Sequence, residues 1–333
     1  MAFSLKQTVI NELRRRRTRS LVDKNSLWAS QASVVTKTGD KLGKCLRASF
    51  WEKTGEEPTN PVDDGVVAMG YMGTKIEDGV IDLLKNQGIW ENNNVKWQAH
   101  GVSGEVDVLI RVLNTEVTPP QEELYIVECK SCSGYYINKE VYGYYAGAGS
   151  NRTYVPGKPK DQHLLQSALY AHVGKERGFK GTIIFYISRD ESKFCEHLVQ
   201  IGDEGEILVN GIVDHRFKIK DIIDRYEVLR KAIDAGELPD RDYQPEYTDT
   251  EVDKLFETKE ISKNAHDNHK NRKELYCDTE CKYCDFKLKC LDQKAMITSK
   301  STKSKIVVED PFAAVMVKSV KAEKPAYIAY GSM

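Results

Sequence analysis

The sequence has 333 residues, enough for one large or two small domains. Its 49 basic residues nearly cancel its 50 acidic ones, and the hydrophobic fraction of 40% is that of an ordinary globular protein. Because the net charge is close to zero, it gives no argument for nucleic-acid binding. A site for nucleic acid would have to be a local cluster of basic residues. Because no stretch reaches the roughly 20 apolar residues of a membrane span and the N-terminus lacks the apolar core of a signal peptide, we expect a cytoplasmic protein without membrane contact.

The first predicted segment in chain order is 1–44, which is polar and contains the basic run Arg14–Arg17. Such a run is typical of a solvated helix face, with contact to phosphates as the alternative. Apolar residues at helical spacing then predict a helix over Asp64–Lys85, although three glycines lower its helix propensity.

Short β-like runs follow this helix and predict a small antiparallel meander. The runs are Val95–Ala99, Glu105–Val112 and Leu124–Lys130. Segment 131–160 is rich in Gly and Tyr and shows neither a helical nor a strand period, so we predict a long loop or lid. Over 291–333 the composition predicts a flexible linker and an apolar tail. The elements between these two segments are a helix over Lys160–His172, strands over Thr182–Ile187 and Phe194–Ile201, and a helix from Ile219 to Ile233.

Three polar residues of the predicted meander have the spacing of a metal-dependent hydrolytic site. Asp107 lies in one strand, and Glu128 and Lys130 lie two apart in the next, so these two share a face while Cys129 points away. Carboxylates and waters suit Mg²⁺, and a neighbouring Lys can orient or deprotonate an attacking water. The alternative is that these residues form only the polar face of an exposed sheet.

Two further elements extend this pattern. Glu77 lies on the predicted helix before the sheet and could supply a third acidic ligand, although alone it is typical of a solvated helix. Gln166 and Tyr170 lie four residues apart on the helix after the meander, so an amide and a phenol on one face could reach a nucleotide or Lys130. The order of all these elements is much harder to produce by accident than any one of them.

The eight cysteines predict metal ligation rather than a disulfide framework, since no secretory signal precedes them. Four of them fall within fourteen residues, which is a spacing typical of metal sites. These four are Cys277, Cys281, Cys284 and Cys290.

With these residues in place, the chain resembles the PD-(D/E)XK nucleases of the RecB type. The resemblance covers roughly 45–290 and implies a restriction-endonuclease-like α/β core, with a mixed sheet flanked by helices. It implies that Asp107 and Glu128 bind metal, with the carbonyl of Cys129 as a further ligand, and that Lys130 is the catalytic lysine.

The resemblance extends to both helices beside the sheet. Gln166 and Tyr170 match the downstream helix motif of the family. Glu77 stands where RecB-type nucleases commonly carry His, as in some viral exonucleases of the superfamily, and a carboxylate there suits Mg²⁺ or Mn²⁺. This departure is compatible with a viral or mobile-element origin.

The cysteines are similar to those of an iron–sulfur subgroup of these nucleases, which includes the CRISPR-associated RecB-like exonucleases and the AddB nuclease domain. Cys281, Cys284 and Cys290 have C-x2-C-x5-C spacing, and Cys45 lies far upstream in a C-x-R context. The resemblance implies that these four hold a 4Fe-4S cluster that joins both ends of the nuclease domain. The alternative is a Zn²⁺ site in which Cys277 replaces Cys45.

The function implied by the resemblance is that of a Mg²⁺- or Mn²⁺-dependent DNA exonuclease of recombination, repair or replication, acting on single-stranded DNA or a free end. A helicase or recombination partner would be a separate chain, since the sequence has no Walker-type motif. The alternatives are a structure-specific endonuclease and a non-catalytic DNA-binding or adaptor protein. The tyrosines of 131–160 could grip a strand by base stacking, with a lid or an oligomer contact as the other interpretation.

Overall fold

A computed structural model of the chain describes residues 5–17, 26–60, 63–147 and 152–291. The chain divides into two units, 1–293 and 294–333. From residue 292 onward the predicted linker and apolar tail lie outside the described residues, and so do the side chains of the basic run after Arg14. The described part of the chain contains no helix that is long and apolar enough to cross a membrane.

Helices and strands alternate along the described ranges. The helices are α1 Leu5–Arg17, α2 Leu46–Thr54, α3 Asp64–Asn86, α4 Tyr135–Tyr142, α5 Asp161–Lys175, α6 Ile219–Ala235, α7 Asp249–Glu257, α8 Lys263–Lys270, α9 Thr279–Lys282 and α10 Lys287–Cys290. The strands are β1 Leu27–Trp28, β2 Ser33–Val35, β3 Lys41–Gly43, β4 Trp90–Ala99, β5 Val102–Asn114, β6 Gln121–Cys132, β7 Tyr144–Ala146, β8 Thr153–Val155, β9 Phe179–Ser188, β10 Phe194–Ile201, β11 Glu206–Val209 and β12 Ile212–Lys218.

Eight of the strands form one central mixed sheet. Its order is β1-β5-β6-β9-β10-β11-β12, and β4 pairs with β5. The predicted meander is confirmed as β4, β5 and β6, which pair antiparallel. The pairing of β6 with β9 is parallel, because the chain crosses over between them through α5. The fold is therefore mixed α/β, a central mixed sheet flanked by helices.

Both faces of the sheet are covered, because alternate residues of β5, β6 and β9 are apolar on each side. On one face, α5 packs on β9, and Leu165 and Ile184 are completely buried between them. On the other face, α3 places Ile81 against Val108 and Val127. The two helices that carry predicted site residues are thus fixed on opposite faces of the same strands.

The prediction of a long loop over 131–160 is wrong for the described residues of this segment, while a role as a lid stays a prediction. β6 continues to Cys132, α4 begins after Gly134, whose φ of 95° favours glycine, and β7 pairs with β8 in a hairpin. Each element is too short for a hydrophobic period to be detected in the sequence, which explains the error.

Residues that precede the predicted nuclease domain contribute to the main core. Leu27, Ala29 and Val34 are each no more than 3% exposed, and β1 pairs in parallel with β5. On α1, the Arg14 guanidinium lies 2.7 Å from the carboxylate of Asp64 on α3. The predicted boundaries at residues 44 and 290 stay predictions.

Candidate active site and cysteine cavity

The predicted acids of β5 and β6 lie side by side in the sheet. Val108 pairs with Val127, which places Asp107 beside Glu128 on the face toward α5. Asp107 Oδ2 accepts a hydrogen bond from the Cys129 backbone N at 2.7 Å. Glu128 is 1% exposed, and its Oε1 contacts the ammonium of Lys130, two residues along the same strand. The alternation of side chains along the strands predicted that Glu128 and Lys130 share a face, and the pairing of β5 with β6 adds Asp107 beside them.

Helix α5 adds its polar pair to the same group. Gln166 Nε2 donates to Glu128 Oε1 and to the Tyr170 hydroxyl, both at 2.9 Å. The Tyr170 hydroxyl in turn donates to the Glu105 carbonyl oxygen at 3.1 Å, which ties α5 to β5. Gln166 therefore holds Glu128 by one of its carboxylate oxygens, and Tyr170 supports Gln166.

Glu77 approaches from α3, on the other side of a cleft. Burial and the negative charge of Asp107 raise the pKa of Glu77 to about 7. The cleft between α3 and β6 has a volume of about 500 Å³, and Glu77 and Lys130 both line it. The side chain of Cys129 packs against the apolar cluster beneath α3 and also lines this cleft.

The charges of this group are tightly coupled. Burial raises the pKa of Glu128 to about 7 and also raises the pKa of Asp107. Burial opposes the charge of Lys130, but the carboxylates of Glu128 and Asp107 outweigh it and raise the pKa of the ammonium. The second oxygen of Glu128, Oε2, is buried and has no hydrogen-bond partner among the described residues. A buried carboxylate oxygen without a partner is costly, and a bound cation would satisfy it.

Within the described ranges, no group of three or more His, Cys, Asp or Glu side chains is arranged so that it could hold a metal ion as it stands. Around Glu128 two contacts account for this, since the Lys130 ammonium lies on Oε1 and the Cys129 amide binds Asp107 Oδ2. The ligand roles of Glu77, Asp107, Glu128 and the Cys129 carbonyl stay predictions.

Sequence reasoning missed His163, which lies one turn before Gln166 on α5. Its Nδ1 hydrogen-bonds the Tyr186 hydroxyl at 2.8 Å. Burial, together with the charges of Lys130 and Lys160, lowers the pKa of His163 to about 3, so the ring is neutral. Its helical spacing of three from Gln166 was the available signal.

The predicted cluster ligands surround a second cavity, formed where the two ends of the domain meet. Cys45, Cys281, Cys284 and Cys290 line this cavity of about 340 Å³, and Cys277 does not. The Cys277 Sγ instead accepts a hydrogen bond from Lys287 Nζ at 3.2 Å.

Burial governs the thiols of this cavity. It raises the pKa of Cys45, Cys281 and Cys284, and the neighbouring Cys45 adds to the shift of the other two. Basic side chains also line the cavity, among them Lys44, Arg47 and Lys160. The cavity therefore offers soft ligands in a cationic surrounding.

Comparison with known proteins adds little to this geometry. No model of a protein family and no curated protein matches the sequence. The crystal structure of SSO0001 superposes with a TM-score of 0.38 and 13% identity, covering 68% of this chain and 85% of that one. A similarity of that size carries no argument about fold family or function, so the function has to be argued from the site.

Proposed function

We propose that this chain is a metal-dependent DNA exonuclease with a restriction-endonuclease-like core of the PD-(D/E)XK type. One observation carries the proposal: Asp107, Glu128 and Lys130 converge on β5 and β6, and Glu77 lines a cleft together with Lys130. Acids whose pKa values are raised by burial, beside a lysine and next to a cleft, are typical of a catalytic site rather than of a solvated sheet face.

The residues present fit Mg²⁺ or Mn²⁺. These ions are usually held by one or two carboxylates, with waters and substrate phosphate completing the shell, so a ready group of three acids is not required. Glu128 Oε2 is buried without a partner. Asp107 and Glu128 would bind the ion, with Glu77 and the Cys129 carbonyl completing the site. When bound, the metal would polarise the phosphodiester and neutralise the charge that develops on its oxygens.

Gln166 and Lys130 have different roles in the proposed reaction. Gln166 holds Glu128 Oε1 at 2.9 Å and so keeps the opposite oxygen directed into the site. Lys130 owes its raised pKa to the charge of these carboxylates. The charged lysine can orient the attacking water by donating hydrogen bonds, and it would give up its proton to activate that water more easily if a bound cation neutralised the carboxylates.

A digestion assay tests this proposal. End-labelled linear and circular DNA, single- and double-stranded, is incubated with anaerobically purified protein and Mg²⁺ or Mn²⁺. We expect linear DNA to shorten from an end, and Glu128→Ala and Lys130→Ala to lower the rate at least about 100-fold. Matched controls are Glu122→Ala, at the far end of β6, and Lys180→Ala on β9, which should cleave normally.

Other outcomes assign a different function. Cleavage of circles identifies an endonuclease. Binding of DNA without any cleavage identifies a non-catalytic DNA-binding protein, and the two catalytic assignments are then wrong.

We also propose that the cysteine cavity holds a 4Fe-4S cluster bound by Cys45, Cys281, Cys284 and Cys290. Because each thiolate of such a cluster binds a different iron, its ligands are spaced more widely than the ligands of one zinc ion. Cys45, Cys281, Cys284 and Cys290 line one cavity, which supports a centre bound by these four. The position of Cys277 outside the cavity supports Cys45 as the fourth ligand. Iron, sulfide and zinc contents of the anaerobic protein test this assignment.

A further inference from the structure

The cleft beside the acids continues past Lys130 toward the carboxyl ends of β6 and β9. Arg189, the first residue after β9, lines the cleft together with Lys130 and Glu77. Parallel pairing places Cys132 opposite Ser188, so the residues that follow these strands emerge together at one rim of the cleft. The rim of the cleft is therefore built from the carboxyl ends of β6 and β9.

Arg189 is a cation at this rim that has no carboxylate partner in the described part of the chain. Its Nη2 donates to the Ser133 hydroxyl at 2.7 Å and lies 3.7 Å from Met69 Sδ. Its backbone N donates to the Cys132 carbonyl oxygen at 2.9 Å. A half-buried guanidinium that is fixed in place and lacks a counter-charge is well suited to bind a phosphate by paired hydrogen bonds.

Two exposed tyrosines stand at the same rim, at the beginning of α4. The carboxylate of Asp190 accepts hydrogen bonds from Gly134 N at 2.6 Å and from Asn138 Nδ2 at 2.8 Å, which fastens α4 to the end of β9. Tyr135 and Tyr136 project from this braced turn and are 67% and 83% exposed. Their rings meet edge-on, with centroids 5.4 Å apart. Rings that start from a fixed turn and are open to solvent offer stacking surfaces.

We infer that Arg189, Tyr135 and Tyr136 form a binding site for a single strand of nucleic acid where it leaves the cleft. Arg189 binds the phosphate next to the one that faces the acids, and the tyrosine rings stack on the adjoining bases. Both contacts are independent of base identity, so the site accepts any sequence. Bases within a duplex are already stacked on each other and cannot use the rings. The inference rests on the proposed function, because it takes the cleft as the place of the phosphodiester.

Binding measured without hydrolysis tests the site. Fluorescence anisotropy in EDTA follows a labelled oligothymidylate and a blunt duplex of the same length. Tyr135→Ala and Tyr136→Ala are each expected to weaken single-strand binding about tenfold and to leave duplex binding unchanged, whereas Phe at either position restores it.

Salt dependence isolates the arginine. Arg189→Gln is expected to reduce the slope of log affinity against log salt by about 0.7, the value for one phosphate contact to a single strand. Arg111→Gln removes the same charge at the opposite end of the sheet, since β5 and β6 run antiparallel, and should leave the slope unchanged.

Several results would overturn the site. If wild type binds the single strand and the alanine variants bind equally well, the site is wrong while the nuclease proposal is untouched. Equal loss of single-strand and duplex binding by variants that fold as wild type does also overturns it, because stacking on the rings is open to the single strand alone. If no DNA is hydrolysed but the single-strand losses appear as expected, the site stands and the proposed catalysis fails.

Discussion

Glu128 is a carboxylate that folding buries with one oxygen unpaired, so it opposes the stability of the metal-free protein. Burial raises its pKa from 4.5 to about 7. An acid whose pKa is higher in the folded than in the unfolded protein stabilises the folded state while it is protonated. This stabilisation is complete at pH values below the pKa of the unfolded protein, and it is lost as the pH rises through the pKa of the folded protein.

We therefore predict that Glu128→Gln becomes progressively more stable than wild type as the pH rises from 4.5 to 7 in EDTA. Gln keeps the shape and the hydrogen bonds of the protonated acid without its charge. The difference in the free energy of unfolding should reach up to about 3 kcal/mol above pH 7. Urea unfolding at pH 4.5 and pH 8 measures it. Parallel stability curves would show that the carboxylate carries no such penalty.

Tyr170 illustrates a positioning residue, because its hydroxyl links Gln166 to the backbone of β5. We predict that Tyr170→Phe costs about 1 kcal/mol of stability and lowers the rate of DNA hydrolysis about ten- to a hundredfold, since Glu128 loses its support. Tyr226→Phe is the matched control, because this tyrosine is equally buried and its hydroxyl donates to the Trp28 carbonyl oxygen at 2.8 Å instead of to a predicted site residue. Similar rates for the two variants would contradict the positioning role.

The β2–β3 hairpin supports α5 through one glycine. Gly43 has a φ of +87°, and a Cβ there would lie 2.3 Å from the Ala32 carbonyl oxygen and 2.7 Å from Leu165 Cδ1 on α5. Gly39 has a similar φ of +91°, but an added Cβ would meet no described atom within 4 Å. The two positions thus share the backbone strain and differ in the clash.

We predict that Gly39→Ala costs about 1–2 kcal/mol, which is the cost of the left-handed backbone alone. Gly43→Ala should cost about 1–3 kcal/mol more, because Leu165 and the hairpin have to move apart. Chemical unfolding of both variants measures the difference. If both lose the same stability, the hairpin yields freely and does not position α5.

Long periodic elements were predictable and short ones were not. The helices α3 and α5 and the strands β4 to β6 follow from a period of 3.6 or 2, and these elements carry Asp107, Glu128 and Gln166. Strands β1 to β3 have two or three residues each, too few for a period, and β1 is defined only by its parallel pairing with β5.

The parts of the site that depend on tertiary pairing also escaped prediction. Arg189 reaches the cleft only because β6 and β9 pair in parallel with Cys132 opposite Ser188, and no local pattern encodes that register. The same holds for the cavity that separates Cys277 from Cys45, since spacing in sequence had left both as candidate ligands.

At the scale of the whole molecule, the segment 277–290, which carries the clustered cysteines, packs against helix α2 and the residues that follow it. The rings of Trp51 and Phe286 lie 5.6 Å apart, and the Asp285 carbonyl oxygen accepts hydrogen bonds at 2.9 Å from the backbone of Thr59 and Asn60. The backbone N atoms of Leu288 and Lys289 also donate to the side chains of Asn60 and Thr59, at 3.0 and 3.3 Å, so a metal centre bridging the same two segments would add to an existing association.

We predict that Cys45→Ser loses iron and lowers the melting temperature, whereas Cys277→Ser retains both. Cys45 lines the cavity with Cys281, Cys284 and Cys290, so its loss opens a proposed metal link between segments more than 230 residues apart. Constraining so long a loop is worth about 5–6 kcal/mol in the chain-entropy estimate. Cys277 is bonded to Lys287 instead, and serine can accept the same hydrogen bond. Iron content and thermal unfolding are measured on anaerobically purified proteins. Limited proteolysis shows whether the segment 277–290 has been released from α2. The reverse result, in which zinc is present and Cys277→Ser releases it, would assign a compact zinc site and leave Cys45 as a buried thiol.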